Sequence, residues 1–152
     1  MTTKTPQPQI FCVANQKGGV GKTTTTVNLA AGLAQVGPRV LVVDLDPQGN
    51  ATMGSGIDKR TLPHSVYDVL LASASLAEAL QRSPKGGYDV LGANRELAGA
   101  EVELVDLDQR ERRLKSALAS GAGGYDFVLI DCPPSLNMLT LNGLCSAHGV
   151  IV

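Results

Sequence analysis

The chain has 152 residues and a formal net charge of −1, with 43% hydrophobic and 18% charged side chains, the proportions of an ordinary globular protein. That length suits one domain able to bury about 70% of its unfolded surface, and the near-neutral balance advertises no basic field for nucleic acid. No apolar run reaches membrane-spanning length and the amino terminus, MTTKTPQPQ, is polar and proline-bearing, so the reading is cytoplasmic, with no signal sequence and no membrane.

Residues 1–9 show no apolar periodicity and read as a flexible tail. Ile10-Phe11-Cys12-Val13-Ala14 predicts a first strand. Val27, Leu29, Ala30, Ala31, Leu33 and Ala34 predict a helix over about 22–36, ended by Gly37-Pro38. Between them lies Asn15-Gln16-Lys17-Gly18-Gly19-Val20-Gly21-Lys22-Thr23-Thr24. A strand delivers the chain, glycines let backbone N–H groups converge on an anion, and the helix offers its positive end, so this stretch reads as a phosphate-binding loop. Gln16 stands where the usual string has its first glycine. The result is a variant loop of Lys17, Gly18, Gly19, Val20, Gly21, Lys22, Thr23 and Thr24, with two lysines. Lys22 stands where a lysine reaches the β- and γ-phosphates, and Thr23 where a hydroxyl holds Mg²⁺. The loop gives Lys17 no evident task on the same phosphates.

The next run, Val40-Leu41-Val42-Val43, is continuously apolar, as expected for a parallel strand covered on both faces, and completes a βαβ unit. It ends in Asp44-Leu45-Asp46-Pro47-Gln48-Gly49-Asn50. Ligands of open parallel sheets gather beyond the carboxyl ends of strands, so Asp44 and Asp46 are expected on the same edge as the loop, able to serve Mg²⁺ and a water. Residues 51–65 read as an exposed connection, 65–72 and 75–82 as short helices, 83–87 as a breaker and Tyr88–Leu91 as a third strand. Residues 95–120 mix acidic residues with Leu and Val and carry Arg110, Glu111, Arg112, Arg113 and Lys115, the pattern of one or two solvated surface helices. Tyr125–Ile130 is a strong strand pattern ending in Asp131, a position suited to a Mg²⁺ partner reached through water. Pro133-Pro134 stops it, 135–147 reads as a helix, and Gly149-Val150-Ile151-Val152 begins another buried strand. A bare apolar edge at the end of a chain invites aggregation, so the sequence is expected to be the amino-terminal portion of a longer protein. Cys12, Cys132 and Cys145 lack CxxC spacing and are expected as buried free thiols; His64 and His148 have no partner spacing.

With KGGVGKTT at 17–24, VVDLDPQGNAT at 42–52 and FVLIDCPPSL at 127–136 in place, the chain resembles the ParA/Soj branch of the deviant-Walker ATPases, a group that includes MinD and the nitrogenase iron proteins. The resemblance implies a P-loop NTPase fold over 10–152, a mostly parallel, doubly wound α/β sheet flanked by helices, with its carboxyl-terminal half absent. ATP and Mg²⁺ are the implied cofactors. By position, Lys17 resembles the signature lysine that crosses a homodimer interface to the partner's nucleotide, Lys22 the phosphate lysine, Thr23 the Mg²⁺ ligand and Thr24 a phosphate contact. Asp46 resembles the residue that positions attacking water, and Asp44 and Asp131 the supports of the metal region. The implied activity is ATP hydrolysis in chromosome or plasmid partitioning, with a dimer formed on ATP binding, a ParB-like partner, and non-specific DNA bound through the later half. Two rival readings are a MinD-like membrane-associated positioning ATPase, which needs a carboxyl-terminal amphipathic helix, and an iron-protein-like cluster carrier, which needs interface cysteines.

Overall fold

The computed structural model describes residues 7–13 and 20–151, with side chains described from Thr23 onward in the second stretch. In chain order the elements are β1 (Gln9–Val13), α1 (Val20–Gln35), β2 (Val40–Asp44), α2 (Asn50–Gly54), α3 (Val66–Leu70), α4 (Leu76–Ala79), β3 (Leu80–Arg82) and β4 (Asp89–Leu91). There follow α5 (Ala100–Glu103), α6 (Arg113–Gly121), β5 (Phe127–Asp131), α7 (Met138–Ser146) and β6 (Gly149–Ile151). Short 3₁₀ turns, among them Lys59–Thr61 and Arg95–Gly99, link them.

The strands form a sheet in the order β3-β4-β2-β5-β1-β6, parallel throughout except for the β3–β4 pair. Every residue of β2 is buried, because its alternate side chains feed two separate cores. Leu41 and Val43 join Cys12, Val128 and Ile130 under α3, α6 and α7, in a core that also takes Leu97, Leu104, Leu114, Leu118 and Leu139. Val40 and Val42 join Val90 and Leu129 under α1, where Ala30 meets the sheet flanked by Leu33 and Ala34. Helices on both faces are what allow a β-branched run to lie in the middle of a parallel sheet.

Several expectations change. The helix expected over 75–82 is only one turn, because Leu80 turns extended and Leu80–Arg82 pairs antiparallel with β4; cross-strand hydrogen bonds outweigh a local propensity. Residues 51–65 are not an exposed connection: Asn50–Gly54 is helical and buries Ala51 and Thr52. Of the 95–120 stretch, 95–112 is broken into short turns and 113–120 forms most of the expected helix as α6, but leucines of both parts enter the core, so it is more than a surface layer. Gln9, read as tail, opens β1 opposite Phe127. Cys12 and Cys132 are buried as expected but not free: their sulfur atoms are bonded to each other. The β1–β5 register pairs Val13 with Asp131, which brings Cys12 and Cys132 to the same sheet face across 120 residues of sequence. Cys145 remains a free thiol.

The residues after β5 are anchored at a distance. Both oxygens of the Glu101 carboxylate accept the first N–H groups of α7, from Met138 and Leu139 at 3.0 Å each. Asn137 caps the same helix by accepting from Thr140 N–H at 3.0 Å. An anion and a side-chain oxygen at a helix start satisfy donors that have no intrahelical acceptor.

Candidate nucleotide and metal site

Parallel pairing of β5 with both β1 and β2 sets the geometry. Asp131 lies opposite Val13 on one side and opposite Asp44 on the other. The last described residue before the glycine-rich segment therefore stands in one row with two strand-end carboxylates. Asp44 and Asp131 are both fully buried, and Asp46, two residues beyond β2, is nearly so.

Each carboxylate is oriented by named donors. Thr23 Oγ1 donates to Asp131 Oδ2 and Thr26 Oγ1 donates to Asp131 Oδ1, both at 3.3 Å. Three residues apart, these threonines share one face of α1. The backbone N–H of Asp46 donates to Asp44 Oδ1 at 3.0 Å, and Thr52 donates twice to Asp44 Oδ2, from its N–H at 2.9 Å and its hydroxyl at 2.8 Å. The Thr52 hydroxyl in turn accepts from Ala93 N–H at 3.0 Å, tying the β2 end to the segment after β4. Burial above all, and then the neighbouring Asp131 charge, push the Asp44 carboxyl up to about 7, against the downward pull of its Thr52 and Asp46 hydrogen bonds.

The turn after β2 is equally determined. Gln48 N–H donates to Asp46 Oδ1 at 3.0 Å and Gly49 N–H to the Asp46 carbonyl at 2.8 Å. Gly49 has φ +66, and a Cβ there would lie 2.7 Å from the Ala93 carbonyl oxygen, so the turn requires glycine.

This donor set suits Mg²⁺. A small hard cation takes oxygen ligands, is held by one or two carboxylates, and keeps waters and substrate phosphates for its other positions. A hydroxyl on the first turns of α1 and two buried carboxylates in one row meet that description. No group of three or more His, Cys, Asp or Glu among the described residues could hold a metal ion.

Of the sequence-derived site residues, Thr23, Asp44, Asp46 and Asp131 are gathered at this edge. Lys17, Gly18 and Gly19 lie outside the described residues. Val20, Gly21 and Lys22 begin α1, and Thr24 is exposed in its first turns. Thr26 and Thr52 were missed. Thr52 had a signal, since it closes the VVDLDPQGNAT stretch, but nothing local says that a threonine eight residues on returns to Asp44.

A parallel sheet whose acidic strand ends meet the start of a helix behind a glycine-rich junction defines a P-loop NTPase. A family model described as "AAA domain" matches residues 8–152. Soj of Bacillus subtilis, a sporulation initiation inhibitor protein, is 50% identical over 95% of this chain and 57% of its own length. The chromosome partitioning protein ParA of Myxococcus xanthus is 49% identical over 95% and 51%. The chain belongs to the ParA/Soj family of P-loop ATPases within that AAA domain group, and it spans about half the length of the curated relatives it matches. A Mycobacterium smegmatis protein named cobyrinic acid a,c-diamide synthase, solved with an ATP analogue and magnesium, superposes with a TM-score of 0.90. It is 52% identical, over 94% of this chain and 58% of that one. Among the described residues no helix is long and apolar enough to cross a membrane.

Proposed function

We propose that the chain is the nucleotide-binding part of an ATP-hydrolysing dimeric switch for chromosome or plasmid partitioning. One observation carries this reading: Asp44 and Asp131 lie side by side in register with the strand that leads into the glycine-rich loop. The family supports it, and the ATP analogue and magnesium held by the Mycobacterium smegmatis protein support the choice of ligand.

In this reading ATP lies along Lys17–Thr24, with Lys22 on its β- and γ-phosphates and Thr24 in contact with them. Thr23 would hold Mg²⁺, with Asp44 and Asp131 supporting the same region, Asp131 through water. The ion neutralises charge on the phosphate oxygens when bound. Asp46 orients the attacking water, its carboxylate fixed by the Gln48 N–H. Lys17 reaches across the homodimer and stabilises the charge that develops during transfer, as an arginine finger does elsewhere. Phosphoryl transfer needs mainly positioning and charge stabilisation, so this small set suffices for slow turnover. ATP drives dimerisation only through tighter binding to the dimer, and Lys17 supplies part of that difference. The dimer holds DNA non-specifically through the later half of the protein, in the cytoplasm at the nucleoid, until a ParB-like partner stimulates hydrolysis.

In the full-length protein, Asp46→Ala is expected to keep the ATP-dependent dimer and lower turnover by about 100-fold or more, the scale of a lost positioned base. Lys17→Ala is expected to weaken dimerisation measured by light scattering. Normal dimerisation and hydrolysis by the Lys17 variant would sink the reading. The identity to the Mycobacterium smegmatis protein gives a second reading, an amide-forming enzyme. ATP hydrolysis stimulated by DNA and partner, with no carboxylic acid acceptor present, decides for partitioning.

A further inference from the structure

The turn that carries Asp46 is gripped by a side chain from a separate element. Lys59 opens the Lys59–Thr61 turn, which Asp58 fixes by accepting from Arg60 N–H at 3.0 Å through its side chain and from Thr61 N–H at 3.1 Å through its carbonyl. From there the Lys59 ammonium donates to the Gln48 carbonyl. Its stem lies along Gly49, where an added Cβ would come 2.7 Å from Lys59 Cδ. The same added Cβ would lie 2.7 Å from the Ala93 carbonyl oxygen, so the Lys59 stem and that carbonyl both close on the Cβ side of Gly49.

The Gln48–Gly49 peptide is consequently held at both ends. Its N–H, on Gly49, donates to the Asp46 carbonyl, and its C=O accepts from Lys59. The preceding peptide presents the Gln48 N–H to Asp46 Oδ1. A cation on a peptide carbonyl makes a stronger hydrogen bond than a neutral donor does and polarises the peptide, so its own N–H donates better. Among the described residues, no other ammonium or guanidinium bonds this turn. The turn's two ends are tied by neutral bonds, Asp46 N–H to Asp44 Oδ1 at 3.0 Å and Met53 N–H to the Gly49 carbonyl at 3.0 Å, which leaves Lys59 as the charged donor on the Gln48–Gly49 peptide between them.

We propose that Lys59 is a positioning residue for Asp46. It fixes the Gln48–Gly49 peptide and through it the direction of the Asp46 carboxylate, and it touches neither nucleotide nor metal. The link to turnover rests on the function proposed above. The grip on the turn does not.

The test uses the full-length protein and two variants. Lys59→Met keeps the apolar stem and removes the charge, while Lys59→Arg restores a cationic donor. Lys59→Met is expected to lower kcat about tenfold, the scale of one hydrogen bond to a charged group, with the KM for ATP and the melting temperature held. Lys59→Arg is expected to recover most of the loss. Hydrogen exchange of the 46–50 peptide, read without nucleotide, is expected to speed up about tenfold in Lys59→Met and to return toward the parent rate in Lys59→Arg. Unchanged exchange in Lys59→Met overturns the proposal, whatever the kinetics. A kcat loss that Lys59→Arg does not recover, or one matched by a fall in melting temperature, also overturns it. If the parent protein hydrolyses no ATP, the proposed function fails instead, and faster exchange in Lys59→Met alone still upholds the grip on Asp46.

Discussion

Asp89 and Asp44 belong to neighbouring strands of one sheet and are served by opposite chemistry. Asp89 opens β4 at the amino end, where Arg82 Nη1 lies 3.2 Å from one oxygen and the Tyr125 hydroxyl donates to the other at 2.6 Å. The Arg39 guanidinium sits 5.3 Å over the Tyr125 ring, so positive charge backs the whole cluster. Asp44 closes β2 at the carboxyl end, and its donors, two backbone N–H groups and the Thr52 hydroxyl, are all neutral. They aim the carboxylate without cancelling its charge. Burial and Asp131 then push its proton affinity up to about 7. Asp89 is neutralised by cations of the fold itself, whereas Asp44 is oriented by neutral donors alone, an arrangement that in the proposed function leaves its charge for a cation.

The largest expected effect follows from the neutral end. Asp44→Ala removes the acceptor of all these donors inside the protein, and each buried donor left unsatisfied costs about 1–3 kcal/mol. Urea unfolding of the full-length protein should show a loss of about 3 kcal/mol or more. The same truncation at Asp89 should cost less, because Asp89 is only half-buried and the exposed Arg82 side chain can turn to solvent. A smaller loss at Asp44 than at Asp89 would break the contrast.

How much of this contrast the sequence carries depends on the reach of each interaction. The apolar runs at 40–43 and 127–130 end in Asp44 and Asp131, and for a parallel sheet a strand end is already a location. The βαβ order and the acidic edge were therefore legible. Residues that act across long separations were not. Leu80–Arg82 has helical composition and becomes strand only because β4 offers a partner. Cys12 and Cys132 meet only through the β1–β5 register. Thr52 is bonded to Asp44, and Lys59 to Gln48, by returns of the chain that no periodicity encodes. Glu101 in an acidic stretch reads as surface, yet it caps α7 from 37 residues away.

The amino end offers a sharper test of intermediate size. Tyr125 is nearly buried, and its hydroxyl donates to Asp89. Burial first, then this hydrogen bond, hold the phenol in its protonated, donating form. Tyr125→Phe removes one hydrogen bond to a charged acceptor and keeps the ring under Arg39, so a loss of about 1.5 kcal/mol is expected. Nucleotide affinity, measured with a fluorescent ATP analogue, should stay at the parent value, since this cluster lies at the far end of the strands from Asp44 and Asp131. A change in affinity of tenfold would mean that the two ends are coupled through β4 and β5 and are not independent.

Arg82→Ala gives the smallest expected effect and tells most about why the amino end needs two donors. The Arg82 side chain is 67% exposed and sits on the edge strand β3. Ion pairs in that setting contribute about 0.5 kcal/mol or less, because solvent screens them and ordering a long side chain costs entropy. Salt at 1 M shortens the Debye length to about 3 Å, so the difference between parent and variant should vanish there. The Tyr125→Phe difference should persist in the same salt, because its partner atoms are largely out of solvent. If instead the Arg82 loss survived 1 M salt, the guanidinium would be acting through the packing of its stem against β4, and Asp89 would be held by Tyr125 alone. Charge compensation would then come from Arg39 across the ring of Tyr125, a cation that neutralises the carboxylate without touching it.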